Sequence, residues 1–265
     1  MAKKKKRNPI LKILKVAVVV YLLLVLGNLI EDIYSRLGNT HTITASEEWN
    51  LVVVNRWNEL PEDYVVELME LSNGQKIDER IYPHLQEMFD AARAEGIYPI
   101  VREGYRTEKE QQALYDEKVQ AYINEGYSRQ RAERTAKEWV ALPGTSEHQL
   151  GIAVDINADK EICSNDEVYA WLSDNAHEYG FILRYPQGKL EMTGISYEPW
   201  HYRYVGEEVA KDIYMKEICL EEYFLLPFLK NVSNLIFDYL RLSECFYPLI
   251  LNEPMTHRCW VNAIS

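Results

Sequence analysis

Two short polar motifs constrain this chain more than any other feature of its sequence. The first runs from Ser146 to Asp155 as Ser-Glu-His-Gln-Leu-Gly-Ile-Ala-Val-Asp, and the second is Glu198-Pro199-Trp200-His201. Alternating side chains over residues 152–156 predict a strand that carries Asp155 on the face opposite Val154. Together the motifs offer two imidazoles and two carboxylates. A fold that uses both must therefore bring them to one place.

The residue types in these motifs are those that hold a catalytic zinc ion. Zinc takes neutral histidine nitrogen and aspartate oxygen, and a catalytic site keeps three protein ligands with one position open. His148 lies in the loop that enters the strand, Gly151 lets the backbone bend before Asp155, and His201 lies on another strand. We therefore expect His148, Asp155 and His201 to be metal ligands.

Two further features predict chemistry beside that metal. Glu198 lies three residues before His201, which places a carboxylate near the metal where it can accept a proton from water and pass it to a leaving amine. Arg106, in Gly104-Tyr105-Arg106-Thr107 between a predicted strand and helix, can bind a substrate carboxylate or an oxyanion. Gln111 follows in the helix and is expected to face the same pocket. The combination indicates metal-assisted amide hydrolysis.

Each feature taken alone has a simpler interpretation. An isolated His–Asp pair is usually an ordinary hydrogen bond, and an isolated Glu-Pro-Trp-His segment is usually packing. An isolated Tyr-Arg-Thr segment is usually a helix start with a solvated arginine. The hypothesis of a metal site therefore depends on the features occurring together.

The remaining pattern predicts an α+β domain, because helices and strands mix without βαβ regularity. Strands are expected at 49–55, 65–71, 97–101, 152–156, from 181 and at 200–205, and helices at 81–94, 108–124, 128–140, 165–179 and 207–222.

The amino-terminal segment predicts a membrane anchor. A lysine-rich cluster at residues 3–7 precedes an apolar run from Val16 to Leu26, and residues 27–32 make a poor cleavage site. We therefore favour an uncleaved signal anchor over a cleaved signal peptide. The basic cluster then stays in the cytoplasm, and the body of the protein lies outside the membrane.

The charge distribution and the cysteine spacing argue against two other classes of protein, nucleic-acid-binding proteins and proteins with a cysteine-ligated metal. The formal net charge is −12, although the first 15 residues contain seven Lys or Arg and no acid, so the body is strongly acidic. An acidic body argues against nucleic-acid binding. The four cysteines lack CxxC spacing, which argues against a cysteine-ligated metal. Cys163 and Cys219 either pair in an oxidising compartment or remain free thiols.

The order and spacing of these motifs resemble the zinc D-alanyl-D-alanine carboxypeptidases of the VanY type, over roughly Trp49 to Tyr223. The resemblance implies a small mixed sheet flanked by helices, as in the hedgehog/DD-peptidase fold. It implies one Zn²⁺ ion, with Glu198 as catalytic base and Arg106 as a catalytic or carboxylate-binding residue. The implied zinc ligands are His148, Asp155 and His201, and the implied substrate contacts are Arg106, Gln111, Ser146 and Trp200.

The resemblance also implies a substrate and a location. Members of this family act on the terminal D-alanine of peptidoglycan stem peptides at the outer face of the bacterial membrane, which agrees with a single-pass anchor. Two alternatives remain: an L,D-carboxypeptidase acting on tetrapeptides, and a non-catalytic zinc-containing module that binds the cell wall. A pure binding module needs neither Glu198 nor Arg106, so their presence favours the enzyme.

Two departures from the family pattern are visible. Arg102 and Glu103 stand where relatives have small polar residues, so they are expected to alter specificity if they line the pocket mouth. The chain also continues past Tyr223 with apolar runs that keep neither helical nor strand period for long. We interpret this tail as sequence without a selected structure, or else as a membrane-contacting segment. The predicted organisation is 1–32 basic tail and anchor, 33–48 tether, 49–223 zinc carboxypeptidase domain and 224–265 C-terminal extension.

Overall fold

The computed structural model describes residues 49–226. The predicted basic tail, signal anchor and tether lie outside this range, as does nearly all of the predicted C-terminal extension. Within it, the structure contains no helix that is both long and apolar enough to cross a membrane. The described residues form an α+β domain.

The strands fall into two groups. Strands β1 (Leu68–Glu70) and β2 (Lys76–Asp78) form an antiparallel pair around a turn at residues 72–74. The larger sheet contains β3 (Pro99–Glu103), β4 (Ala153–Ala158), β5 (Phe181–Leu183) and β6 (His201–Tyr204), in the order β3-β4-β6-β5. The two polar motifs therefore enter the central strands of one sheet.

The larger sheet is antiparallel throughout. The expectation of a mixed sheet was wrong, because the chain reverses direction between each pair of neighbouring strands. The connection from β4 to β5 does cross over to a strand of the same direction, but β6 lies between these two strands, so no two neighbouring strands are parallel. The pairing of β4 with β6 sets Asp155 directly opposite His201.

Helices pack against the sheet and contribute part of the core. They are α1 (Tyr82–Ala94), α2 (Glu108–Asn124), α3 (Arg129–Ala136), α4 (Asn165–Asn175), α5 (Leu190–Thr193) and α6 (Glu207–Lys216). The main core joins α1 and α4 to the sheet through Leu85, Met88, Phe89, Val154, Ile156, Val168 and Leu172. Helices α2 and α3 pack on each other through a smaller cluster of Tyr115, Val119, Ala132 and Ala136.

The start of α2 fixes the position of Arg106. The Thr107 side chain accepts a hydrogen bond from the Glu110 backbone N–H, and the Glu110 carboxylate accepts one from the Thr107 backbone N–H. This is a capping box, and it holds the helix start at Glu108. Arg106 therefore stands at a rigid junction between β3 and α2.

The strand predicted at 49–55 was wrong. Residues Trp49–Leu51 form a 3₁₀ turn, and the next three valines are all buried instead of alternating between two faces. Their segment is held by a side chain, because the Arg203 guanidinium donates to the backbone carbonyls of Asn50 and Val52 at 3.0 and 2.8 Å. The Arg203 guanidinium thus supplies hydrogen bonds that the backbone of a neighbouring strand would otherwise donate.

The other differences concern boundaries. The strand predicted at 65–71 is shortened to β1, the helix predicted at 128–140 ends at Ala136, and the helix predicted at 165–179 becomes 3₁₀ from Ala176. The helix predicted at 207–222 ends at Lys216, because Glu217 adopts a left-handed conformation with φ of 53°. Within residues 49–226, Cys163 and Cys219 do not form a disulfide with each other.

Candidate metal centre

The side chains of His148, Asp155 and His201 converge at one end of the β4–β6 pair. One donor atom from each lies within 4.8 Å of the others. Oδ1 of Asp155 lies 2.9 Å from Nδ1 of His201 and 3.5 Å from Nε2 of His148. The two imidazole rings meet edge to face, with centroids 4.8 Å apart. The three predicted ligands therefore present their donor atoms to a common point.

Backbone contacts hold His148 in this orientation. The histidine lies in the 3₁₀ turn Glu147–Leu150, and its Nδ1 lies 2.7 Å from the carbonyl oxygen of Gly104. A carbonyl only accepts, so Nδ1 carries the proton and Nε2 keeps a free lone pair toward Asp155. The Arg106 backbone N–H donates to the His148 carbonyl at 3.1 Å. The Gly-Tyr-Arg segment thus orients a predicted metal ligand as well as supplying Arg106.

Gly151 ends this turn and leads into β4. Its φ is +73°, a conformation that side-chain-bearing residues rarely adopt. A Cβ atom there would lie 2.8 Å from Cγ2 of Val66 and 3.2 Å from the Asp78 backbone nitrogen. The sequence needs glycine at this position both for the turn and for the close approach of β2.

The donor set fits a zinc ion. Two imidazole nitrogens and one carboxylate oxygen are the ligands of many catalytic zinc sites, and all three residues line the pocket. Burial lowers the pKa of His148, which favours the neutral, ligating form. Burial alone would raise the pKa of Asp155, but His148 and His201 outweigh it and hold that pKa well below its usual range. Asp155 is therefore ionised at neutral pH.

His201 behaves differently in the metal-free protein. Burial opposes its protonation, but the nearby carboxylates of Asp155 and Glu147 raise its pKa to about 9. A metal ion must displace that proton, so metal binding is expected to release protons near neutral pH.

Glu198 lies beside the three donors without joining them. Its Oε2 is 3.9 Å from Nδ1 of His201, and the residue is only 8% exposed. Burial raises the pKa of its carboxyl to about 7, since the neighbouring His201 only partly offsets the loss of solvent. A carboxyl that titrates near neutrality is suited both to accept and to give a proton.

Every predicted site residue lines one pocket, with an apolar wall beside it. The predicted residues are Arg106, Gln111, Ser146, His148, Asp155, Glu198, Trp200 and His201, and the wall consists of Leu114, Trp139, Val140, Ala141 and Ile195. Arg106 is fixed there because its Nη1 donates to Oε1 of Gln111 at 2.8 Å, while Gln111 donates to the Ala141 carbonyl at 2.7 Å.

Arg102 and Glu103, the first departure from the family pattern, differ in their relation to the site. Neither Arg102 nor Glu103 lines this pocket. The Glu103 carboxylate nevertheless lies 3.9 Å from Nη2 of Arg106, while Arg102 is exposed on β3. The Glu103 carboxylate is therefore close enough to interact electrostatically with the Arg106 guanidinium.

Besides the apolar wall, the polar residues Tyr185 and Glu147 were not predicted at the site. Tyr185 lines the pocket, and its ring centroid lies 4.7 Å from that of His201. Burial raises the pKa of Tyr185 well above its usual range, so it stays a neutral hydroxyl. Glu147 is 1% exposed and lies behind His201. The only sequence feature that could have indicated Glu147 is its place inside the first motif, next to His148.

Residues 74–207 match the sequence model of the VanY family, described as D-alanyl-D-alanine carboxypeptidase. This match spans half of the chain. The chain belongs to the VanY D-alanyl-D-alanine carboxypeptidase family.

Individual relatives agree with this assignment. A D-alanyl-D-alanine carboxypeptidase of Enterococcus faecalis is 58% identical over 177 residues, which cover 67% of this chain and 66% of the relative. The crystal structure of a mutant VanY D,D-pentapeptidase from a VanB-type vancomycin-resistance cassette, in complex with Zn(II), is 58% identical with a TM-score of 0.65. VanYB in complex with D-alanine-D-alanine is 57% identical with a TM-score of 0.67. These two structures cover 66% and 68% of this chain, which in turn covers 99% of each.

Proposed function

We propose that this VanY-family chain hydrolyses the peptide bond before the terminal D-alanine of peptidoglycan stem peptides, using one zinc ion held by His148, Asp155 and His201. The observation that carries the proposal is the placement of Glu198. It is a buried carboxyl that titrates near neutrality, next to a three-donor metal site and in the same pocket as Arg106.

When bound, zinc supplies a Lewis acid for the scissile carbonyl and for the attacking water. Glu198 accepts a proton from that water as its oxygen forms a bond to the carbonyl carbon. Glu198 then gives the proton to the nitrogen of the departing D-alanine as the C–N bond breaks. One carboxyl performs both transfers, which requires a pKa close to the working pH.

Arg106 binds negative charge on the substrate. Its guanidinium forms a rigid, planar donor group that matches a terminal carboxylate or the oxyanion of the tetrahedral intermediate. Gln111 holds this guanidinium by one edge and is itself held by the Ala141 carbonyl. The apolar wall of Leu114, Trp139 and Ile195 limits the water around the reacting bond.

The experiment that tests this function is D-alanine release by the purified full chain. A muropeptide pentapeptide and a tetrapeptide are each offered with zinc and with chelator, alongside the Glu198→Gln variant. Release from the pentapeptide, abolished by chelator and by Glu198→Gln, is the expected result. Release from the tetrapeptide alone would reassign the enzyme to the L,D bond, and zinc binding without release from either would favour a binding module.

The location of the enzyme is a further part of the proposal. The lysine cluster at residues 3–7 and the apolar run Val16–Leu26 support a single-pass anchor with the catalytic domain outside the bacterial membrane. Mass spectrometry of the mature amino terminus tests the anchor, because a chain that starts near residue 30 has lost it.

A further inference from the structure

A cluster of four buried charged residues lies behind His201, and the proposed reaction does not use it. Glu147, Arg184, Arg203 and Glu221 are each no more than 5% exposed. Arg184 donates to both oxygens of Glu221 at 2.9 and 2.6 Å, and its Nε donates to Oε1 of Glu147 at 2.8 Å. Burial of this many charges is costly unless each is paired, so the arrangement calls for a reason beyond stability.

Within the cluster, Glu147 alone faces the metal centre. Its Oε1 accepts from Arg184 and lies 2.8 Å from Nη1 of Arg203. Its Oε2 points the other way and lies 3.9 Å from Nε2 of His201. Among residues 49–226, these two atoms are buried polar atoms without a hydrogen-bond partner. Buried polar atoms are normally hydrogen-bonded, and a small shift that brings Oε2 and Nε2 closer together would form a hydrogen bond between them.

We infer that Glu147 is a positioning residue that holds His201 with its Nε2–H toward Glu147 and its Nδ1 lone pair toward the metal. This inference rests on the proposed metal site. Nδ1 is the atom that faces Asp155, so the ring ligates through Nδ1 and carries its proton on Nε2. A carboxylate can only accept, which selects this tautomer.

The two histidines are thus oriented by different devices. His148 keeps its proton on Nδ1 through the Gly104 carbonyl and ligates through Nε2. His201 has the opposite arrangement, and Glu147 takes the part that the backbone carbonyl takes for His148. The two arginines prevent Glu147 from turning away, because both hold its other oxygen.

The substitution Glu147→Gln tests this role sharply. Arginine only donates, so the amide oxygen of the glutamine must stay toward Arg184 and Arg203. The amide NH₂ then faces Nε2 of His201, which favours the wrong tautomer for a ring that must ligate through Nδ1. We expect zinc affinity to fall by roughly 10- to 100-fold, as measured by competition with a chromophoric chelator.

The matched control is Glu221→Gln. It removes the same charge from the same buried cluster, but Glu221 contacts Arg184 and Asn55 and not His201. We expect its zinc affinity to stay within about threefold of the wild type, below the range for loss of an outer partner. An equal loss of affinity in both variants would overturn the inference, because the effect would then come from the buried charge in general.

NMR of the histidine rings in the zinc-loaded wild-type protein shows which ring nitrogen carries the proton and which binds the metal. This measurement does not depend on whether a variant folds. We expect His201 to show a protonated Nε2 and a metal-bound Nδ1, with His148 reversed. A His201 that ligates through Nε2 overturns the inference. Unchanged zinc affinity in Glu147→Gln, with His201 still bound through Nδ1, also overturns it. A His201 that does not respond to zinc at all would instead contradict the proposed metal site.

Discussion

Nδ1 of His201 lies 2.9 Å from Oδ1 of Asp155 because β4 and β6 pair these two residues directly across the sheet. The geometry of the metal centre is therefore set by strand register. A slip of one residue would turn His201 to the opposite face of the sheet. The two motifs, distant in the sequence, meet because they occupy adjacent central strands.

The substitution Asp155→Asn should remove the metal. The amide keeps the shape of the side chain but loses the charge that both histidines share, and a neutral oxygen is a poor zinc ligand. We expect zinc affinity to fall by more than the roughly 100-fold that loss of an outer partner costs. Metal content of the purified protein measures this. The control Asp116→Asn, on the exposed face of α2, should retain full zinc content.

Arg106→Lys should weaken the enzyme without removing zinc. Lysine keeps the charge but cannot donate to Gln111 and a carboxylate in the planar geometry of a guanidinium. Losing a charge-assisted hydrogen bond of about 1.5–3 kcal/mol predicts a fall in kcat/KM of roughly 10- to 100-fold. Steady-state kinetics on a pentapeptide checks this. Arg102→Lys, on the exposed side of β3, is the matched control, and an equal effect there would contradict the assignment.

The sequence predicted the site better than it predicted the sheet around it. The members of the site are residue types that rarely occur together in that order and spacing, so their convergence could be inferred from the two motifs and Arg106 taken together. The direction of the strands could not, because alternation of side chains is the same in parallel and antiparallel sheets. The expected mixed sheet was wrong for that reason.

Long-range contacts explain the other misses. The buried valines at 52–54 resemble a strand, yet their backbone is held by Arg203, which lies far away in the sequence. Glu147 looks like a solvated residue between Ser146 and His148, and only the fold shows that it meets Arg184 and His201. Neither partner is visible in the local pattern of the sequence.

Gly151→Ala should destabilise the domain more than Gly188→Ala. Both glycines have positive φ, +73° and +79°, so both substitutions strain the backbone. At Gly188 a Cβ meets nothing within 4 Å, whereas at Gly151 it would meet Val66 and the Asp78 backbone. Overpacking of this kind costs about 1–3 kcal/mol, which is the expected difference in free energy of unfolding between the variants. Chemical denaturation of both variants measures this difference. Equal losses of unfolding free energy would show that Val66 and the backbone of β2 move aside without cost.

Glu198→Gln should stabilise the metal-free protein at high pH. Burial raises the pKa of Glu198 to about 7 from its ordinary value of 4.5, so the folded state holds this proton more tightly than the unfolded state. The contribution to stability is complete below about pH 4.5 and is lost as the pH rises through about 7. Each pKa unit corresponds to roughly 1.4 kcal/mol, which predicts a cost of a few kcal/mol to the wild type at pH 8.

The measurement is the difference in free energy of unfolding between the wild type and Glu198→Gln, at pH 5 and pH 8 with chelator present. Comparing the two proteins at each pH cancels the titration of groups that they share. We expect the advantage of the variant to grow between these pH values. Adding zinc should reduce that growth, because a bound cation favours the ionised carboxylate. An advantage that does not change with pH would mean that Glu198 titrates in the folded protein as it does in the unfolded chain, and the proton-transfer role would then lose its physical basis.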